Sequence, residues 1–200
     1  MGTLEPKFIT MGSLAPLYEV AAQTFGADFL QTTEKVDEDT RILAAQEPST
    51  GGIIGFVTAR KLGKKMVSSI LKTKEPFTGP HDITVCDDVG AVGVIQSIAV
   101  DPEFQGRGIG TKLLAQSEKI ISAEACSVAI VPAWKYDDTV NIHGILSKAG
   151  YKEWIEIKQY WKEDCDKSAF VCPQRTVGCM CSVVFYRKTL LKRGLPERTS

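Results

Sequence analysis

The densest chemical signal in the 200-residue chain is a run of six residues, Gln105-Gly106-Arg107-Gly108-Ile109-Gly110. Glycines at alternate positions let the main chain approach a ligand closely and reach dihedrals closed to other residues. Thr111 follows and opens a helix. The first turn of any helix carries N–H groups without intrahelical partners and a partial positive charge. A loop of this kind feeding a helix is an anion cradle, best suited to a phosphate or pyrophosphate. Arg107 adds a cationic side chain for phosphate oxygens. Spacing then narrows the ligand. A nucleotide P-loop needs lysine directly after its last glycine, where this chain has Thr111. The dinucleotide fingerprint G-x-G-x-x-G fails as well, because the glycines fall at 106, 108 and 110.

Two elements must position that run. Val94, Gln96, Ile98 and Val100 alternate with Ile95, Ser97 and Ala99, a period of two with little polarity on either face. That pattern predicts a buried strand. Asp101-Pro102 stops it, since proline has no N–H for a ladder and restricts the residue before it. Beyond the glycines, Leu113, Leu114, Ser117, Ile120 and Ile121 share one helical stripe, with Lys112, Gln116, Glu118 and Lys119 elsewhere.

Strand, turn and helix together resemble the acyl-CoA-binding motif Q/R-x-x-G-x-G/A of the GNAT superfamily of N-acetyltransferases, filled here by Gln105, Gly108 and Gly110. The resemblance implies an α/β GNAT fold: a central mixed, mostly antiparallel twisted sheet flanked by helices and splayed between the coenzyme strand and the next one. It implies acetyl-CoA as cofactor, with pantetheine paired to main chain around Ile98, Ala99 and Val100. The diphosphate would then meet Gln105, Gly106, Arg107, Gly108, Ile109, Gly110 and Thr111. Asn141 either contacts the coenzyme arm, as in relatives, or serves only as an N-cap. Many members place a tyrosine on the following helix to protonate the departing thiolate, and counting back from Gly150 that position is Leu146. Tyr136, His143 or water would have to substitute, while His143 also reads as a helix-boundary histidine with an ordinary partner. Asp87, Asp88 and Glu103 are further candidate acids and bases.

Composition bounds the remainder. A hydrophobic content of 44% fits one globular domain with a substantial core. The 24 basic and 24 acidic residues cancel, so nothing in the net charge points to nucleic acid. The N-terminus lacks a signal pattern, and no run of apolar residues is long enough to span a membrane. A cytoplasmic enzyme, monomer or homodimer, with no nucleic-acid or membrane partner is expected.

Along the chain, residues 7–10 read as a strand. Ser13 reads as the N-cap of a helix to Phe25 with Leu14, Leu17, Tyr18, Ala21 and Ala22 inward, and 41–46 with 52–60 as a hairpin. Residues 64–74 read as a basic amphipathic helix, and 75–91 as a connection holding the lone surface histidine His81. Residues 127–131 form a strand, 141–149 a helix closed by Gly150, and 151–157 and 183–187 two more strands. Cys165, Cys172, Cys179 and Cys181 crowd one short span, which resembles a GNAT subgroup with a C-P-x-C-G…C-x-C tail. Arg175 replaces one cysteine of that pattern. Four thiolates around zinc, a redox-labile pair, or small hydrophobes in a reduced compartment all fit, and no metal is assigned. The expected organisation is one N-acetyltransferase domain over 1–190, Cys-rich at 161–181, with a basic tail at 191–200. The function expected is acetyl transfer from acetyl-CoA to a primary amine of a small molecule or a protein. A non-catalytic acyl-CoA-binding regulatory module is the alternative.

Overall fold

A computed structural model describes residues 5–30, 36–167, 171–172 and 179–190. The tail at 191–200, and Pro173 and Arg175 of the Cys-rich span, lie outside these residues. Among the described residues eight strands run β1 (Lys7–Met11), β2 (Thr40–Gln46), β3 (Ile53–Lys61), β4 (Val92–Val100), β5 (Val128–Tyr136), β6 (Thr139–Val140), β7 (Lys152–Lys158) and β8 (Ser182–Thr189). They form one sheet in the order β1-β2-β3-β4-β5-β8-β7, with β6 on β5. Among these described strands only β4 and β5 pair in parallel; every other pairing is antiparallel.

Helices cover both faces. On one side lie α1 (Tyr18–Phe25), the single turn α2 (Val67–Ile70) and α3 (His81–Val89). On the other lie α4 (Ile109–Ala123) and α5 (His143–Lys148), while α6 (Lys162–Asp166) precedes β8 in the chain. The pleat decides what each layer buries. Ile42, Ala44 and Phe56 meet Leu17, Val20 and Ala21 on the α1 side. Their neighbours Leu43, Ala45 and Val57 meet Leu113, Leu114 and Ile121 of α4. Those three α4 side chains are at most 1% exposed, and each contributes about 1.5–3 kcal/mol by leaving water. A 3-10 turn, Ala15–Leu17, leads into α1, and Ser13 Oγ accepts from Ala15 N–H at 3.2 Å. The inward face of α1 uses Val20, whereas Ala22, expected inside, is exposed.

Residues 62–91 depart most from expectation. The basic stretch forms α2 alone, and α3 occupies what reads as an irregular connection. Leu62, Val67, Leu71 and Ile83 pack on Val92, Val94, Val128 and Ile130, so this segment is a core layer and not a solvated link. Asp87, considered as a catalytic acid or base, is buried and accepts from Met66 and Val67 N–H at 2.9 and 3.1 Å. Gly90, left-handed at φ 70°, ends α3. The strand expected at 127–131 continues to Tyr136, because β8 pairs with it from Val128 to Lys135. Lys188, just past the strand expected at 183–187, lies in β8 and bonds Glu118 of α4 at 2.8 Å.

Candidate functional site

The parting of two strands creates the site. β4 and β5 pair at three positions only, ending with Val94 and Ile130. Beyond them β4 stays bonded to β3 and β5 to β8, so their facing edges separate. Pro132, with no N–H for a ladder, sits on β5 two residues past the last pair. β4 is irregular at the same level: Thr58 faces Ser97 and Ala59 faces Ile95, leaving Gln96 as an extra residue. A bulge of this kind bends the strand and re-aims its main-chain groups.

The turn after β4 is built by short-range bonds. Asp101 Oδ1 accepts from Glu103 N–H at 2.9 Å and starts a 3-10 turn, Pro102–Phe104. Gln105 Nε2 then donates back to the Val100 carbonyl at 2.9 Å. Gly106 and Gly108 take φ of 74° and 77°, and a Cβ on either would meet no atom within 4 Å. Backbone conformation, not crowding by the protein, is what calls for glycine there. Gly108 is the N-cap of α4 and has no side chain with which to cap that end. The first main-chain bond at the end runs from Lys112 N–H to the Gly108 carbonyl at 3.1 Å, which leaves Ile109, Gly110 and Thr111 N–H without helical partners. Gly110 differs: its Cβ would come 3.2 Å from Ile145 Cδ1, so small size lets α5 close against the loop.

These groups face a cleft of about 700 Å³. It is lined by every residue expected to hold the coenzyme except Arg107. Arg107 Nη2 donates to the Glu103 carbonyl at 2.9 Å, its guanidinium lies 4.9 Å from the Phe104 ring centre, and it lines a neighbouring cavity with Glu47 and Lys112. Lys148, Gln23 and Thr24 also line the cleft and were not singled out by sequence. No local motif marks Lys148; it reaches the cleft because α5 packs on Gly110.

Thr24, Ile98, Asn141 and Ile142 line this cleft and also a narrower cavity of about 90 Å³. The cavity walls are Phe25, Phe29, Trp134, Trp161 and the thiols of Cys165, Cys172 and Cys181, with no charged side chain among its described lining. Gln96 lines it too, and its Oε1 is buried without a hydrogen-bond donor. The four clustered cysteines pack as small hydrophobes with Trp134, Tyr136 and Trp161. Burial foremost pushes Cys165 up to about 12 and Cys181 up to about 11, so both stay neutral thiols at pH 7. Among the described residues, no group of three or more His, Cys, Asp or Glu is arranged to hold a metal ion.

The structure does not bring the candidate acids to either space. His143 Nδ1 lies 2.8 Å from the Tyr186 hydroxyl and 3.3 Å from Glu153 Oε1, and Tyr186 donates to Glu153 at 2.9 Å. Burial pushes the Tyr186 phenol well above its usual range, with the Glu153 bond adding to it. His143 lines a separate polar cavity with Lys135 and Glu156. Tyr136 packs against the cysteine cluster. Leu146, the position at which the resemblance implies a tyrosine, is 0% exposed and belongs to the core. Asp88 and Glu103 are exposed and line neither space.

Comparison with known proteins agrees with this architecture. The acetyltransferase (GNAT) family matches residues 13–143. An uncharacterised N-acetyltransferase of Chlorobaculum tepidum is 33% identical over 96 residues, which are 48% of this chain and 54% of that protein. The matched stretch thus spans about half the length of that relative. The ribosomal-protein-S18-alanine N-acetyltransferase of Escherichia coli superposes with a TM-score of 0.62 at 11% identity, covering 98% of this chain and 99% of its own. An acetyltransferase of Bacillus subtilis in complex with CoA gives 0.58 at 12% identity, covering 94% and 100%. At these identities the structural likeness speaks for the fold, and the family match extends over more than half of the sequence. The chain belongs to the acetyltransferase (GNAT) family.

Proposed function

We propose that this protein transfers the acetyl group of acetyl-CoA to a primary amine. The observation that carries the reading is the uncapped N-terminus of α4, opening with Gly106 and Gly108 onto the gap between β4 and β5. Acyl transfer from acetyl-CoA comes with the family; the amine acceptor is the step beyond it. Free N–H groups at Ile109, Gly110 and Thr111 suit a diphosphate, and Lys148 stands at the cleft wall to add charge. The β5-facing edge of β4 at Ile98–Val100, which is bonded to β3 on its other side and has no β5 partner, suits the amide groups of a pantetheine arm, in the manner of a strand added to a sheet edge.

Acetyl-CoA supplies an activated acetyl thioester and a thiolate leaving group of pKa about 8.5, a weaker base than the incoming amine. The chain therefore needs no strong acid at that point, which fits a buried Leu146 in the tyrosine position. Freeing the amine is the larger demand. An amine of pKa near 10.4 is about one part in 2,500 neutral at pH 7, a cost of roughly 4.6 kcal/mol. No carboxylate lines either space among the described residues, so burial against apolar walls is what disfavours the ammonium form. Holding amine and thioester together contributes several kcal/mol more. Thiol release from acetyl-CoA in the presence of a panel of amines tests the reading. Turnover supports it; CoA binding with no thiol release from any amine overturns it in favour of a regulatory binding module.

A further inference from the structure

Building on that reading, we infer that the narrow cavity receives the acceptor, that the acceptor is a monoamine with a small branched or single-ring apolar tail, and that Gln96 Oε1 accepts its N–H. The cavity continues the coenzyme cleft past Ile98 and Asn141, at the level of the β4 bulge, where the acyl end of a bound thioester arrives. Its described lining is mainly aromatic rings, aliphatic side chains and thiols, with the uncharged Thr24, Ser97 and Asn141 among them, and about 90 Å³ admits one small apolar group. Against those walls Gln96 Oε1 is a buried acceptor with no donor among the described residues. Native interiors rarely leave such a group unmade, so a ligand donor is called for. A longer acyl chain on the coenzyme has no N–H to give; an amine has.

The lining also selects by charge. A polyamine or an aminoglycoside would bring a second ammonium into a space whose described lining offers no counter-ion. A monoamine loses its single charge on entry and keeps only N–H groups to place. Gln96 is neutral and cannot take the proton, so its part is orientation. In the transfer, the N–C bond forms as the C–S bond breaks, sulfur keeps the electron pair, and the surplus proton on nitrogen passes to solvent.

The test is thiol release from acetyl-CoA with isoamylamine, 2-phenylethylamine and spermidine as acceptors, using the full chain. The better monoamine is expected to exceed spermidine at least tenfold in kcat/KM. Gln96→Leu should lower that value at least tenfold, mainly through KM for the amine, with the dissociation constant for CoA unchanged. Trp161→Glu, which gives a second ammonium a counter-ion, should shrink the gap between monoamine and spermidine. Spermidine equal to or better than both monoamines overturns this inference and leaves acetyl transfer standing; no thiol release from any amine overturns both. An unaltered kcat/KM in Gln96→Leu removes Gln96 from the acceptor site, and an unaltered ratio in Trp161→Glu removes the cavity.

Discussion

The two spaces that meet at Ile98 are made in opposite ways. The wide cleft is chiefly main chain: glycines at positive φ, free N–H groups of one helix end, and a strand edge without a β5 partner, all between Ile98 and Thr111. The narrow cavity is side chain: rings and thiols delivered by α1, β5, α6 and the approach to β8, which are far apart in sequence. A backbone cradle tolerates many side chains and depends on a few dihedrals. A side-chain cavity is indifferent to dihedrals and depends on volume and polarity at each wall. The first suits a cosubstrate shared by a whole family; the second can differ from one acceptor to the next without disturbing the first.

Changes that separate the two test this contrast, beginning with the most severe. Gly108→Val forces a β-branched residue to φ 77° at the mouth of the cleft. Strain of about 1–3 kcal/mol plus bulk in the cradle should weaken CoA binding on the order of a hundredfold, as read by calorimetry. Cys165→Ser places a hydroxyl in the apolar wall. It should cost about 1–3 kcal/mol of stability and lower the Tm by several degrees, while CoA affinity stays within about twofold. Lys148→Ala should weaken CoA binding by about two- to fivefold, an effect that shrinks with added salt. Arg107→Ala should do less, since its guanidinium is engaged with Glu103 and Phe104 outside the cleft. A larger loss from Arg107→Ala than from Lys148→Ala would mean that the loop rearranges on binding.

Acidity at the cavity wall gives a gentler test. The thiols of Cys165 and Cys181 are raised from 9.0 to about 12 and about 11 by burial. Folded protein therefore holds these protons more tightly than unfolded protein. Their contribution is fully present below pH 9 and is lost as pH climbs towards 11 and 12. The thermal midpoint should fall across that window, and less so in Cys165→Ala.

How far each space is legible in sequence follows from how it is made. The strand 92–100, its Asp-Pro stop, the glycine run and the stripe of α4 are local patterns, and the structure places them as the patterns predict. Strand β8 and the hairpin of β2 and β3 were readable for the same reason. Residues 62–91 were not: Lys64, Lys65, Lys72 and Lys74 suggest a basic helix, but the apolar residues there answer to a sheet face formed by distant strands. Asp87 reads as an available carboxylate, although its partners lie 20 and 21 residues away on a turn that sequence does not reveal. Gln96 shows the limit most plainly. Alternation places it as one more strand residue, and only the slip in pairing with β3 makes it an extra residue with a donor-less oxygen.

In the proposed function, main-chain amides between Gly106 and Thr111 hold the coenzyme's diphosphate. Calorimetric titration of the protein with CoA and with pantetheine, which lacks the diphosphate, measures this directly. One-to-one binding of CoA, with pantetheine at least a hundredfold weaker, is the predicted result. Equal affinities, or no binding of CoA, would contradict it.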